Sequence, residues 1–211
     1  MKITKLEQQK KNKKRISVYI DGEFSFGTDS FVVMAEKLTE GKEITKEQLS
    51  HIKNTAVYED AKGYAAKLVS VRSYTEKNMR EKLLAHIGNE EITDKTIEFL
   101  KEYKLLDDYD YAYRFAHDLV HLKKLGLTKV KWKLKEKGIS AEVAEKVLKE
   151  LNFENTISEN LENLALKKLG DNFDIKNIMK VKRYLASRGY SFDEINLTFS
   201  KLKEKDENNE W

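Results

Sequence analysis

His117 and His121 stand four residues apart in a segment patterned as a helix, so both imidazoles fall on one face and could share a metal ion. The zinc-protease arrangement needs a glutamate directly after the first histidine as general base. Here that place is taken by Asp118, one methylene shorter, and no third ligand is evident, so the pair reads as ordinary helix histidines. A metal-dependent hydrolase using His117 and His121 is the enzymatic alternative. Asp107, Asp108 and Asp110 lack the ligand spacing and closing glutamate of a calcium loop. Asp107 and Asp108 instead suit the start of a helix near Tyr109, where a carboxylate caps N–H groups and complements the positive end of the dipole. The 9 glycines are scattered singly, in neither the GxxxxGKS nor the GxGxxG pattern, and there is no cysteine. Phosphate-cradling loops, disulfides, thiolate nucleophiles and Cys-ligated zinc are therefore excluded. The expectation is a protein that is not an enzyme, with no catalytic, cofactor-binding or metal-binding residue.

What remains is the chemistry of positive charge. Net charge is only +4, but it is unevenly placed: Lys10, Lys11, Lys13, Lys14 and Arg15 cluster early, and Asp206, Glu207 and Glu210 come at the end. Lys123, Lys124, Lys129, Lys131, Lys133, Lys135 and Lys137 form the densest run, interrupted by Glu136, with Trp132 among them. Trp132 is expected in the core, as the partner of Leu127 in a hydrophobic staple around a Thr128 cap; stacking on a nucleic-acid base is the other reading.

The elements that place these charges repeat. Met79/Leu83, Val130/Leu134 and Val181/Leu185 are apolar pairs four residues apart, each pair 51 residues after the one before, as one buried helical stripe requires. Gly88, Gly138 and Gly189 follow them and suit a left-handed helix end. In the preceding helix Ala61, Tyr64, Ala65 and Leu68 match Ala112, Phe115, Ala116 and Leu119, with a weaker copy around Leu161, Leu164, Ala165 and Leu169. A third helix follows each glycine, marked by Ile92, Ile97 and Leu100, by Val143, Val147 and Leu151, and by Ile195, Phe199 and Leu202. Arg80, Lys131 and Lys182 recur three residues before the marker leucine, and Lys82 and Lys133 one residue before it, where Tyr184 departs. Stacked repeats would set this basic ladder along one edge, suited to an extended polyanion or an acidic protein surface.

Before the repeats, Ile16, Val18 and Ile20 alternate with polar residues, Asp21-Gly22 makes a two-residue turn, and Phe24 and Phe26 alternate in return. That is a β-hairpin, whose phenylalanines are expected to pack on the first helices or on a partner. A helical adaptor follows: Phe31, Val32, Met34, Ala35 and Leu38, then a capping box of Thr45 and Gln48. Caps are also expected at Ser73 with Glu76, at Thr128, and at Ser191 with Glu194. Proline is absent, so glycines and polar caps end the helices. No apolar run approaches the ~20 residues of a membrane span, and the N-terminus lacks a signal-peptide core, so a soluble, cytoplasmic protein is expected.

The fold expected is mainly α: tandem three-helix repeats forming an elongated curved array, with a short N-terminal β-hairpin. Its parts are 1–55 (hairpin and adaptor), 56–106, 107–155 and 156–205 (repeats), and 206–211 (a disordered acidic tail).

The ordered motifs resemble the RecX family of recombinase regulators in its Gram-positive form. They are Asp21-Gly22-Glu23-Phe24-Ser25-Phe26-Gly27, Arg72-Ser73-Tyr74-Thr75-Glu76-Lys77-Asn78-Met79-Arg80-Glu81-Lys82-Leu83, Leu105-Leu106-Asp107-Asp108 with Tyr111-Ala112, Lys123-Lys124-Leu125-Gly126, Lys133-Leu134-Lys135-Glu136-Lys137-Gly138-Ile139, and Tyr184-Leu185-Ala186-Ser187-Arg188-Gly189-Tyr190-Ser191. Asn78 stands where the family usually has leucine, and one residue is inserted before Gly88. The resemblance implies a non-enzymatic, monomeric regulator that lies in the groove of the RecA filament on single-stranded DNA, bridges protomers, and reduces strand exchange, ATP hydrolysis and co-protease activity. Recombination, DNA repair and the SOS response would follow. Candidate contacts to RecA, or directly to single- or double-stranded DNA, are Arg72, Arg80, Lys82, Lys129, Lys131, Lys133, Lys137, Lys182, Arg183 and Arg188. The alternative is a sequence-nonspecific single-stranded DNA-binding module that competes for the strand.

Overall fold

The computed structural model describes residues 1–10, 12–170 and 172–207, with side chains as far as 204. Two compact units divide the chain, Met1–Leu106 and Asp107–Trp211. Among the described residues no helix is long and apolar enough to cross a membrane.

In the first unit the expected hairpin is present as β2 (Arg15–Ile20) and β3 (Glu23–Asp29), joined through Asp21 and Gly22 at φ 50° and 91°. Two successive positive φ values match the twist of the strands they connect. A third strand, β1 (Ile3–Gln8), pairs antiparallel with β2. Its residues carry no period-2 signal, because the register shifts between Ile3 and Lys5 and inward Ile3 and half-buried Leu6 are three residues apart. Ile3, Val18 and Ile20 cover Leu38, Ile44 and Ile52, with Phe26 at the margin. Phe24 does not pack on the first helices: it is 60% exposed and meets Tyr19 edge-on at 5.9 Å.

Asp29 caps α1 (Ser30–Ala35), and Thr45 and Gln48 form the expected reciprocal box at the start of α2 (Lys46–Val69). This helix runs unbroken through 55 and 56, so adaptor and first repeat share it. Arg15 pairs with Asp60 of α2 at 2.7 Å and donates to the Gly27 carbonyl, fastening sheet to helix. A charge placed early in the chain is thus structural. Lys11 of the same cluster lies outside the described residues.

α3 (Glu76–Ile87) and α4 (Glu90–Glu102) complete the unit around Ala61, Ala65, Met79, Leu83, Ile97 and Leu100. The cap of α3 is Thr75, whose hydroxyl accepts from Asn78 N–H; this corrects the expected pair Ser73 and Glu76, since Glu76 is already the first helical residue.

The second unit holds two further trios about one continuous core: α5 (Asp108–His121), α6 (Leu127–Glu136) and α7 (Ala141–Leu151), then α8 (Glu154–Leu169), α9 (Ile175–Ser187) and α10 (Phe192–Glu207). Asp107 caps α5 as expected, and Ser191 with Glu194 caps α10 reciprocally. The 51-residue echoes fall in equivalent places. Met79, Val130 and Val181 are all buried, as are Leu83, Leu134 and Leu185; one turn into the third helix of each trio, so are Thr93, Ala144 and Ile195. Gly88, Gly138 and Gly189 all take positive φ. Of the expected acidic tail, 206 and 207 continue α10, and 208–211 lie outside the described residues.

Thr128 does not cap α6. The helix begins at Leu127, its cap position being Gly126, two residues ahead of Thr128, and it has no side-chain cap. Its first donors are taken by the neighbouring trio: Gly126 N–H bonds the Arg188 carbonyl at 3.1 Å, and Thr128 N–H the Gly189 carbonyl at 3.2 Å. The Arg188 guanidinium donates back to the carbonyls of Lys123 and Lys124, and Tyr190 Oη donates to Lys124 O at 3.0 Å. Burial pushes the Tyr190 phenol up to about 12. A Cβ at Gly126 would overlap the Gly189 carbonyl, and one at Gly189, where φ is +91°, would overlap Lys129. Asn160 Nδ2 adds a buried bond to Val120 O at 3.0 Å. The trios of this unit therefore meet backbone to backbone.

Gly126→Ala should cost more than about 2 kcal/mol in chemical denaturation, because two main chains must separate. Gly88→Ala, which meets open space, should cost only the left-handed penalty of about 1 kcal/mol. Thr93 is fully buried and its hydroxyl has no hydrogen-bond partner among the described residues, whereas its counterparts Ala144 and Ile195 are apolar; Thr93→Val should raise stability by about 1 kcal/mol in the same assay.

Candidate partner-binding surface

α6 turns Val130 and Leu134 inward and presents Lys131, Trp132 and Lys135 to solvent, with Lys129 and Lys133 half-buried beside them. The core position expected for Trp132 is not found: it is 50% exposed, because α6 starts behind Gly126 and its buried stripe is already filled by Val130 and Leu134. The ammonium groups of Lys129 and Lys133 lie 4.8 and 5.4 Å from the Trp132 ring centre, so the electron-rich face of the indole attracts the charges around it. Beside Trp132 a groove of about 380 Å³ opens between α6 and the start of α7, with Ile139, Ala141 and Ala144 as apolar lining and Glu145 on the α7 side.

The basic ladder has a different job in each trio. Arg80 of α3 pairs with Asp94 of α4 and with Glu76 at 3.6 Å, and the hydrogen bond it donates to Asp94 raises its already high pKa. Lys182 of α9 donates to Asn196 of α10 at 2.9 Å, with its ammonium 5.0 Å over Phe199. Lys131 lines the groove opposite Glu145, and among the described residues no ion pair joins them. Asp94, Glu145 and Asn196 are themselves spaced by 51 residues, and each stands 14 residues after its ladder cation. That second echo was the available sign that the ladder bridges the second and third helices.

The other candidates scatter. Arg72 stacks over Tyr74 at 4.7 Å, Lys82 is exposed, and Arg183 Nε reaches the Met179 carbonyl at 3.3 Å. Lys133 also approaches Glu136 at 3.8 Å, Lys137 lies 6.0 Å over Phe115, and Arg188 is engaged in the Gly126–Gly189 contact. Lys129, Lys131, Lys133 and Lys137 come together around α6. His117 and His121 face each other at 4.2 Å, and among the described residues no three His, Asp or Glu side chains are grouped to hold a metal.

The first 45 residues match the regulatory protein RecX N-terminal domain, 107–148 the RecX second three-helix domain, and 157–197 its third three-helix domain. A regulatory protein RecX of Clostridium botulinum (strain Alaska E43 / Type E3) is 36% identical over 199 residues, covering 91% of this chain and 92% of the relative. The chain belongs to the RecX family. Another member, from Clostridioides difficile (strain 630), is 33% identical over 208 residues, 97% of each chain. A crystal structure of a regulatory protein RecX shares the fold with TM-score 0.74 at 24% identity, across 94% of this chain and 98% of that one. The RecX of Lactobacillus salivarius aligns at TM-score 0.64 and 24% identity over 70% of this chain and 97% of its own. Relatives carry the name of regulatory proteins, so this family member is a regulator in the general sense.

Because Arg80 and Asp94 are more than one-third exposed, their pair is expected to contribute only about 0.5 kcal/mol. A double-mutant cycle with Arg80→Ala and Asp94→Ala should return that small coupling, decreasing as salt rises.

Proposed function

We propose that this chain binds the filament RecA forms on single-stranded DNA, lying in its groove and bridging neighbouring protomers. It thereby inhibits recombinase, ATPase and co-protease activities, and so modulates recombination, DNA repair and the SOS response. The role is non-enzymatic and is carried out by a monomer in the cytoplasm. Family membership supports the general regulatory reading, and the lysine-lined α6 around an exposed Trp132 is the observation that carries the finer one. A helical polymer repeats the same acidic or amphipathic feature at fixed spacing, and several modest contacts to it add through effective concentration. To inhibit, the chain must bind the less active filament state more tightly than the active one.

The domain division 1–55, 56–106, 107–155, 156–205 and 206–211 belongs to the same proposal, with α2 shared between the first two parts. Direct single-stranded DNA binding by the same α6 surface is the second reading, favoured by an aromatic ring set among lysines.

Co-sedimentation with RecA on single-stranded DNA, beside RecA alone and DNA alone, separates the two. The regulator reading expects the chain to pellet with the filament and to slow its ATP hydrolysis. The DNA reading expects comparable binding without RecA and a steep loss as salt rises. Lys131→Glu with Lys135→Glu should weaken filament binding about tenfold or more and leave the helical circular dichroism unchanged, since both side chains are exposed. Arg80→Glu makes a poor test, because it would set a third carboxylate beside Asp94 and Glu76.

A further inference from the structure

The gap between second and third helix recurs in all three trios, but it is treated differently in each. In the first an ion pair spans it, Arg80 to Asp94. In the third a hydrogen bond from the Lys182 ammonium to the uncharged Asn196 amide does, alongside a cleft lined by Phe173, Ile178 and Phe199. In the middle trio the corresponding Lys131 and Glu145 flank an open groove of about 380 Å³. Its apolar lining, Ile139, Ala141 and Ala144, has room for a large aliphatic or aromatic side chain, and Trp132 stands exposed beside it. The rim is cationic: Lys131 and Lys135 line the groove and Lys129 and Lys133 lie over the indole, against the carboxylate of Glu145 in the lining and that of Glu136, 3.8 Å from Lys133.

We propose that this middle-trio groove is a docking site for an acidic segment of a protein partner, which inserts one apolar side chain between α6 and α7 while its carboxylates meet Lys131 and Lys135. Charge complementarity selects an acidic occupant, and the apolar lining selects a peptide over a nucleic acid strand. One further feature opposes a phosphate backbone here: Glu145 would face it. An aromatic anchor in a pocket with a charged rim is the usual centre of a protein interface. The proposal rests on the reading above only in that the partner is a protein.

The full chain carries 2 tryptophans, so Trp211→Phe leaves Trp132 as the sole reporter of the groove. The probe is a short peptide alternating glutamate and leucine; poly-glutamate of equal length and oligo-deoxythymidine are the comparisons. The leucine-containing peptide should shift Trp132 emission and bind roughly tenfold or more tightly than poly-glutamate. Ala141→Trp, which fills the exposed end of the groove, and Trp132→Ala should each weaken a fluorescein-labelled copy of the peptide by a similar factor, with thermal midpoint and circular dichroism retained. Equal binding of poly-glutamate, tighter binding of oligo-deoxythymidine, or indifference to both variants would each overturn the proposal. If the peptide binds as expected but the chain does not pellet with RecA filaments, the filament reading fails and the groove stands. If the chain pellets and the peptide does not bind, the groove fails alone.

Discussion

A helix of ten to thirteen residues does not hold itself in water, because the cost of its first turn is recovered only over a longer run. α3, α4, α6, α7 and α9 are all of that size, so each exists only by burying a stripe against two partners. The pairs Met79/Leu83, Val130/Leu134 and Val181/Leu185 are that burial, and the recurrent fold is its consequence. With the inner stripe fixed by packing, the outer faces of the second helices are left to carry charge. Repetition of the core thus imposes repetition of the surface, and divergence among copies appears where packing permits it.

That divergence is concentrated at the gap between second and third helices. The same register sets Arg80 against Asp94, Lys131 against Glu145, and Lys182 against Asn196; among the described residues Arg80 pairs with its carboxylate, whereas Lys131 and Glu145 line an open groove with no ion pair between them. A cation engaged with a carboxylate of its own unit offers little to a partner, since breaking the pair offsets what the new contact contributes. The three ladder positions therefore differ in their surroundings. Among the described residues Lys131 is the one of the three that lines an open groove beside an exposed indole.

The contact at Gly126 and Gly189 explains how the second and third trios share one core. Two chain turns approach so closely that each supplies hydrogen-bond partners for the other's backbone, and a side chain on either glycine has nowhere to go. α6 consequently needs no side-chain cap, because its end is completed by another trio. Arg188, attractive as a surface cation, instead satisfies the carbonyls of Lys123 and Lys124 at this junction.

Local rules written in neighbouring residues were legible in the sequence: the 51-residue helical echoes, the boxes of Thr45 with Gln48 and Ser191 with Glu194, the Asp107 cap, and the Asp21-Gly22 turn all reappear. Each depends on interactions spanning only a few positions along the chain, so residue type and spacing suffice. Tertiary structure decided the rest. The third strand was concealed by a bulge, the start of α6 by donors satisfied from residues some sixty positions away, and the exposure of Trp132 by that displaced start. Whether a lysine faces a partner or a carboxylate of its own unit likewise depends on which helix lies opposite, and periodicity along one helix carries no information about the face across from it.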